Sequence, residues 1–330
     1  MNSKNLKIFI PILSVLLVLV IIAAVFLVAT IKNKDNSSRG SSSNNSSSQN
    51  ISSSSSSSNV EVVTGQSVTL DSNKAHVILL CGQSNATGQT MVSYLEKTAT
   101  ATELAEYKAG YNNVLINYRV DGGSNRSNGF VPVTLGQGAT KEKFGPEVGI
   151  ASYLSKAFSN EKFYIVKVAW SGSGIAQHWQ EGKNEYTHII NYIDSAFSNL
   201  EQLGLDPELF AFCWMQGATD ALNLMYANDY YNLQSELFTR LFDRYGKYAS
   251  KKGISVIDAG ISQYWQYNKI VNEAKKKYAN ESELRYFIDT QAEGLTFALE
   301  NNDPSHYDSQ AMIKLGNLFG KYIQKAATKK

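Results

Sequence analysis

Apolar residues recur along this chain in two rhythms. Six short runs are nearly continuous in apolar or β-branched residues: His76–Cys81, Val114–Val120, Phe163–Trp170, Leu209–Met215, Ile254–Ile261 and Arg285–Ile288. Runs of that length, bounded by polar or glycine-containing stretches, predict strands buried on both faces. Between them apolar positions return every three or four residues, over roughly Glu147–Phe158, Glu185–Leu203, Asp229–Lys251, Lys269–Tyr278 and Ser309–Ala326. In the last of these, Met312, Leu315, Leu318, Phe319, Tyr322 and Ile323 fall on one helical face. Strands alternating with helices predict an α/β domain with a parallel central sheet covered on both sides. Val60–Leu70 reads as a short β lead-in. Asp121–Gly145, rich in Gly, Ser and Asn, is predicted to be a surface loop bordering the site.

The N-terminal part has neither rhythm. Ile8–Ile31 is an unbroken run of apolar and small residues, with Lys4 and Lys7 before it and Lys32 and Lys34 after it. A run exceeding about 20 residues is long enough to cross a bilayer and too long for the apolar core of a cleaved signal peptide. It is expected to be a transmembrane signal anchor behind a short cytoplasmic tail, residues 1–7. Residues 32–59 are dominated by Ser and Asn, a composition with nothing to bury, and form a flexible linker. The expected order is therefore tail 1–7, anchor 8–31, linker 32–59 and one folded domain, 60–330. The expected location is a cell membrane, with the domain outside and a bacterial surface as the setting.

Charge changes this picture little. The formal net charge is +2, but Lys4, Lys7, Lys32, Lys34 and Arg39 stand against Asp35 alone in the first 59 residues. That leaves 26 basic and 28 acidic residues in the remainder. No clustered basic face points to nucleic acid. Cys81 and Cys213, each within an apolar run, are too few for a disulfide framework and have no zinc-ligand spacing, although neighbouring strands would permit one bridge. No metal or organic cofactor is implied, and oligomeric state is not readable.

Candidate chemistry begins where the first strand breaks. In Ala75–Gln89 the apolar run stops at Gly82, and Ser84 follows on the turn. A strand that ends at a glycine and delivers a serine is how an α/β protein presents a nucleophile at its sheet edge. The plain alternative is a glycine turn capped by Ser and Asn. A base must come from His76, His178, His188 or His306. His76 begins a strand at its amino end, His188 falls within a helical run, and His178 has only Glu181 nearby. Asp303 and His306, three apart, can place a carboxylate against one imidazole nitrogen while the other faces a nucleophile. Equally, Asp303 can cap a turn that starts at Pro304. Trp170–Gly174 and Trp214–Gly217 follow two further strands and offer amide donors for an oxyanion.

Taken together, these blocks resemble the SGNH (GDSL-like) hydrolase superfamily, and within it the sialate O-acetylesterase and acetylxylan esterase group, carbohydrate esterase family 6. The matching elements are Gly82-Gln83-Ser84-Asn85, Gly172–Trp179, Trp214-Met215-Gln216-Gly217 and Asp303-x-x-His306, in family order. The resemblance implies a three-layer α/β/α, flavodoxin-like fold. It implies a serine esterase removing O-acetyl groups from a carbohydrate, with Ser84 as nucleophile, His306 as base and Asp303 as its orienter. Ser84, Gly172 and Gln216 would supply the oxyanion hole. Gln83, Asn85, Gly174 and Trp179 are candidates for substrate contact, and Trp170 and Trp214 lie close by. Two positions depart from the family: Ser171-Gly172-Ser173-Gly174 replaces Gly-Gly-Thr-Ser, and Ala218 stands where Glu is common, with Asp220 a possible substitute. A conventional α/β-hydrolase elbow is disfavoured, because Ala86 occupies its second glycine position. An inactive carbohydrate-binding module and a short-chain lipid esterase are the competing readings. Activity is expected to fall as acid protonates His306.

Overall fold

Lys74–Gly82 form β1, and every residue after Lys74 is buried. Val77, Leu79 and Cys81 face one layer of helices while Ile78 and Leu80 face the other. A strand covered on both sides reads as a continuous apolar run instead of an alternating one. The structure, a computed structural model, describes residues 70–298 and 302–329. All of these belong to one compact unit, Ser57–Lys330. The Ile8–Ile31 run and the linker at 32–59 lie outside the described residues. Among the described residues no helix is long and apolar enough to cross a membrane.

Past Gly82 come a single helical turn, α1 (Ser84–Thr87), a two-residue strand, β2 (Thr90–Met91), and the helices α2 (Val92–Thr98) and α3 (Ala101–Ala109). The apolar pattern does not announce α2 or α3. Each buries one residue, Leu95 and Tyr107 respectively, so neither carries a stripe to detect. Local chemistry specifies α3 instead: Thr100 accepts from the Glu103 amide at 3.2 Å, and the Glu103 carboxylate accepts from the Thr100 amide at 2.9 Å, a capping box. After β3 (Tyr111–Val120), the expected loop Asp121–Gly145 carries three short strands, β4 (Asn125–Arg126), β5 (Val131–Val133) and β6 (Lys143–Phe144). The order continues α4 (Glu147–Ala157), β7 (Phe163–Ala169), α5 (Ile175–His178), α6 (Asn184–Gln202), β8 (Asp206–Met215), α7 (Leu224–Tyr245), β9 (Ser255–Ala259), α8 (Asn268–Ala279) and β10 (Arg285–Ile288). It closes with β11 (Phe297–Ala298), β12 (Asp303–Tyr307) and α9 (Ser309–Lys329).

The main sheet runs β10-β9-β8-β1-β7-β3-β4, with β5 also on β3. The six strands from β10 to β3 are parallel, whereas β4 and β5 pair antiparallel with β3. Setting β3 aside, the order of the rest is the 2-1-3-4-5 of a flavodoxin-like sheet, and β3 is an added strand outside β7. The expected parallel sheet is thus correct for its centre and needs correction at one edge. There β5 contains Pro132, which an edge strand tolerates because one side of its backbone has no ladder to complete.

The core of α4 and α9 packs on one face of the sheet, and that of α6, α7 and α8 on the other. The contact between α4 and α9 is backbone to backbone. A Cβ on Gly316 would stand 2.2 Å from the Pro146 carbonyl oxygen, and one on Gly149 2.2 Å from that of Ile313. This seats α9 against the sheet and with it β12, which immediately precedes it. Cys81 and Cys213 lie on neighbouring strands but belong to opposite faces, which is why both thiols are free. Burial pushes both thiols up.

From β1 the chain first builds β3 and β7 to one side, then crosses to β8 on the other. Ligands of open α/β sheets bind beyond the carboxyl ends of strands at such a reversal. Here those ends are Gly82, Ala169 and Met215.

Candidate active site

Gly82 has φ +146, and a Cβ on it would lie 2.1 Å from the Met215 carbonyl oxygen. Only glycine lets β1 and β8 come this close. The same carbonyl accepts the Gln83 amide at 3.0 Å, and Gly82 accepts the Trp170 amide at 3.0 Å, so three strand ends are tied around one residue. The chain then turns directly into α1, and Ser84 is its first residue. At that position the amide has no acceptor within the helix.

The Asp303–His306 pair is brought to this turn by the far end of the chain. It is not the isolated tight turn the spacing suggests. Asp303–Tyr307 is β12, antiparallel to β11 with an irregular register. The Asp303 carboxylate accepts the Ser305 amide at 3.1 Å and its hydroxyl at 2.5 Å through one oxygen, and His306 Nδ1 at 2.6 Å through the other. Folding back on itself in this way lets residues three apart meet. The Tyr307 amide donates to Asn85 Oδ1 at 3.3 Å, and Thr90 Oγ1 donates to the Tyr307 carbonyl at 2.8 Å. His306 and Ser84 thus each adjoin one member of the Asn85–Tyr307 hydrogen bond, and α1 packs against β12. Burial works against the charge on Asp303, but the hydrogen bonds from Ser305 and His306 outweigh it and hold the carboxyl below its usual range.

The Trp170–Gly174 loop is fixed from two sides. Ser171 donates its amide to Asp121 at 2.7 Å and its hydroxyl to the same carboxylate at 3.1 Å. Asp121 holds this position with φ +47, a backbone region non-glycine residues seldom occupy. On the other side Gln89 Nε2 donates to Ser171 Oγ at 2.9 Å. Gly172 is exposed at φ +71, with nothing within 4 Å of the place a Cβ would take. Its backbone is open to a substrate.

Gln216 occupies a different place from the one expected. It is fully buried, and its amide donates to the Ser173 carbonyl at 2.9 Å, to Asp220 at 2.5 Å and to Gln83 Oε1 at 3.3 Å. Its oxygen accepts from Tyr230 at 2.9 Å. Two amide hydrogens engaged by three internal acceptors leave none for an oxyanion. Gln216 is therefore corrected from oxyanion donor to a buried tie between the loops. Gln83 is corrected likewise: its oxygen accepts the amides of Gly217 at 3.1 Å and Thr219 at 3.2 Å, which turns it away from substrate. Trp179 is buried, donates to Ser173 Oγ at 2.8 Å and packs edge-on against the buried Trp214, so neither indole offers a stacking face. Gly174 is buried and donates its amide to His178 Nδ1 at 3.1 Å. Asn85 is 6% exposed and its oxygen holds Tyr307 in place.

Asp220, two residues after the Ala218 departure, is 1% exposed and accepts the Ile175 amide at 3.1 Å as well as Gln216. Burial pushes its carboxyl up, and these hydrogen bonds oppose the shift. Behind it lies a second buried group. Lys275 pairs with Asp258 at 2.5 Å and sits over the Tyr230 ring, 5.5 Å from its centre. The contributions of Asp121, Gln89 and Lys275 escape sequence reading. Asp121-Gly122-Gly123 signals a turn, but nothing in it names Ser171 as the partner.

The depressed carboxyl of Asp303 gives a pH expectation. A carboxyl whose pKa is lowered by folding stays ionised as acid is added, and its contribution is lost only as pH falls through that lowered value. Asp303 should therefore stay ionised through mild acid, and loss of rate there should not come from its protonation. Asp303→Asn is expected to lower kcat by about 10²- to 10⁴-fold while keeping an acid limb. A kcat/KM profile for both proteins checks this, and a variant with no acid limb would contradict it.

A sequence profile of the family described as "Carbohydrate esterase, sialic acid-specific acetylesterase" matches residues 74–325. No curated protein matches the chain. Among solved structures, a protein from Arabidopsis thaliana is similar with TM-score 0.57 and 18% identity, covering 76% of this chain and 98% of its own. NanS is similar with TM-score 0.59 and 15% identity, covering 79% of this chain and 100% of its own. At such identities these two likenesses establish the fold.

Proposed function

The chain belongs to the carbohydrate esterase, sialic acid-specific acetylesterase family and is a carboxylic ester hydrolase acting on acetylated carbohydrates, and from that premise we propose a Ser84–His306–Asp303 mechanism for it. The observation that carries this reading is the 2.6 Å bond from His306 Nδ1 to Asp303, at a strand joined to α1 through Tyr307 and Asn85. With Nδ1–H donated to the carboxylate, Nε2 is left as the proton acceptor.

Ser84 Oγ attacks the acetyl carbonyl and its proton passes to His306 Nε2. The negative charge on the former carbonyl oxygen is met by the backbone amides of Ser84 and Gly172; Gln216 only holds the loops that bear them. Collapse breaks the ester bond, and the imidazolium returns its proton to the departing sugar hydroxyl. Water, deprotonated by His306, then cleaves the acetyl-enzyme to acetate and free Ser84. Asp303 orients the ring and stabilises its charged form. On the strength of Ile8–Ile31 and the Ser/Asn-rich stretch, the reaction is proposed to take place outside a bacterial membrane.

Acetate release by the full chain from O-acetylated sialic acid, acetylated xylan and other acetylated glycans tests this, together with active-site labelling by an organophosphonate. Turnover of at least one substrate and labelling at Ser84 are expected. Absence of both would favour a binding module without activity. One observation favours a second reading, hydrolysis of short acyl lipids. Leu222 and Tyr264 are 58% and 52% exposed on the segments that follow β8 and β9, Leu224 and Met225 are 47% and 64% exposed in the first turn of α7, and the two segments are joined by the Tyr267 amide donating to the Ala221 carbonyl at 2.9 Å. A rise in kcat/KM with acyl length on synthetic esters would select that reading.

A further inference from the structure

In the loop after β7 all backbone amides but one are engaged. Trp170 donates to the Gly82 carbonyl at 3.0 Å, Ser171 to Asp121 at 2.7 Å and Ser173 to the Trp170 carbonyl at 3.2 Å. Gly174 donates to His178 at 3.1 Å and Ile175 to Asp220 at 3.1 Å. Among the described residues, the Gly172 amide alone in this run has no acceptor. The bond from Ser173 to Trp170 closes a four-residue turn, and Gly172, at its third position, has φ +71. Ser171, at the second position, does not have a positive φ. Those signs define a type II turn.

A type I turn uses the same closing bond, with its second residue in the helical region and its third at negative φ. The two types differ by turning over the central peptide, which here carries the Gly172 N–H, so that this N–H points to opposite sides in the two. Glycine permits both, and nothing stands within 4 Å of the place its Cβ would take. The choice therefore falls to Ser171. The Asp121 carboxylate accepts its amide at 2.7 Å and its hydroxyl at 3.1 Å, and Gln89 Nε2 donates to the same hydroxyl at 2.9 Å. Turning the central peptide over rotates the Ser171 backbone against these three bonds. Asp121 is itself held at φ +47, and strain of this kind collects at functional sites. Beside it Gly122 lies against Trp170, where a Cβ would stand 3.0 Å from the indole. Ser171 takes the first position of the Gly-Gly-Thr-Ser block, where a glycine has no hydroxyl to hold.

We propose that Ser171, tied by Asp121 and Gln89, is a positioning residue that locks this turn as type II and so keeps the Gly172 N–H directed at the developing oxyanion. The proposal rests on the esterase reading above and adds to it what fixes one donor of the oxyanion hole. With the tie removed, the central peptide turns over part of the time, and the oxyanion then meets the Ser171 carbonyl in place of an N–H. Substrate binding through the rest of the site is untouched, so the loss falls on kcat.

Three variants of the full chain test this. Ser171→Ala removes the hydroxyl and keeps the amide, Asp121→Gly removes the carboxylate at a backbone position glycine favours, and Ser171→Thr keeps the hydroxyl. Active sites are counted by organophosphonate labelling of Ser84. Ser171→Ala and Asp121→Gly should each lower kcat/KM for p-nitrophenyl acetate by about tenfold or more, short of the roughly 10²- to 10³-fold for loss of a whole donor. The loss should lie in kcat, and Ser171→Thr should recover most of it. The thiono analogue, with C=S in place of the acetyl C=O, accepts hydrogen bonds poorly. The wild type should therefore favour the oxygen ester, and that preference should shrink in both Ser171→Ala and Asp121→Gly, whereas a general structural defect slows both esters alike. Thermal unfolding reports whether each variant folds, and if Asp121→Gly does not, Ser171→Ala decides. Unchanged kcat in Ser171→Ala, a loss shared equally by the two esters, or a Ser171→Thr no better than Ser171→Ala overturns the proposal while leaving the esterase reading intact. A wild type that neither labels at Ser84 nor turns over any acetyl ester overturns both.

Discussion

Ser84→Ala is expected to lower acetate release by about 10⁴-fold or more while the protein keeps its fold. The magnitude follows from what the hydroxyl does: without it there is no acyl-enzyme, and the remaining amides stabilise only a direct attack by water. The structural effect should be small, at about 1 kcal/mol or less. The features that shape the turn are Gly82, the Gln83 amide on Met215 and the Asn85 contact with Tyr307, and none of them uses the Ser84 side chain. Steady-state acetate release and thermal unfolding on the same preparation check both parts. A variant retaining more than about a tenth of the activity would remove Ser84 from the nucleophile's role.

The largest effect on stability is expected from Lys275→Met, at about 3–5 kcal/mol. Lys275 and Asp258 are both essentially inaccessible and lie 2.5 Å apart, and Gln234 also donates to Asp258. Burial pushes the Asp258 carboxyl up and the Lys275 ammonium down, and their mutual attraction opposes both shifts without cancelling them. Without the ammonium, Asp258 is a buried acid with no cation. Its folded pKa is then raised further above the unfolded value near 3.9. A group raised in this way is stabilising only in the protonated state, so the variant should lose stability as pH rises through the acid range. Denaturant unfolding from pH 4 to pH 8 reads this directly. Because Lys275 underlies Tyr230, which supports Gln216, activity should fall as well. Equal stability of variant and wild type across that range would show that the pair carries no weight in this fold.

Much of the frame was legible beforehand. The six parallel strands and five long helices could be read because each is covered on both faces, alternates as β10 does at the sheet edge, or carries an apolar stripe, and each pattern survives in a string of letters. Elements with one buried residue, such as α2 and α3, left no such trace. The β4–β6 segment was misread for a related reason. Its strands are two or three residues long and held by pairing with β3 or β2, and pairing partners are not written in local composition. At the site, Ser84, Asp303 and His306 were legible as blocks in order. The roles of Gln83, Gln216 and Trp179 were not. An amide or an indole at a strand end looks the same in sequence whether it faces outward to a ligand or inward to another loop.

By itself, then, the sequence determined the class of the fold and the order of its main elements, while the three residues proposed to carry the reaction came from blocks that resemble a known family. Those depend on periodicity and on the presence of particular chemical groups, both of which are local properties. Only the tertiary structure decided that Gln216 is a buried tie, that Cys81 and Cys213 face opposite ways, and that Asp121 and Gln89 converge on Ser171. These depend on where side chains from different elements point once the sheet is formed. A hydrogen bond acts over about 3 Å of space, whatever the distance along the chain.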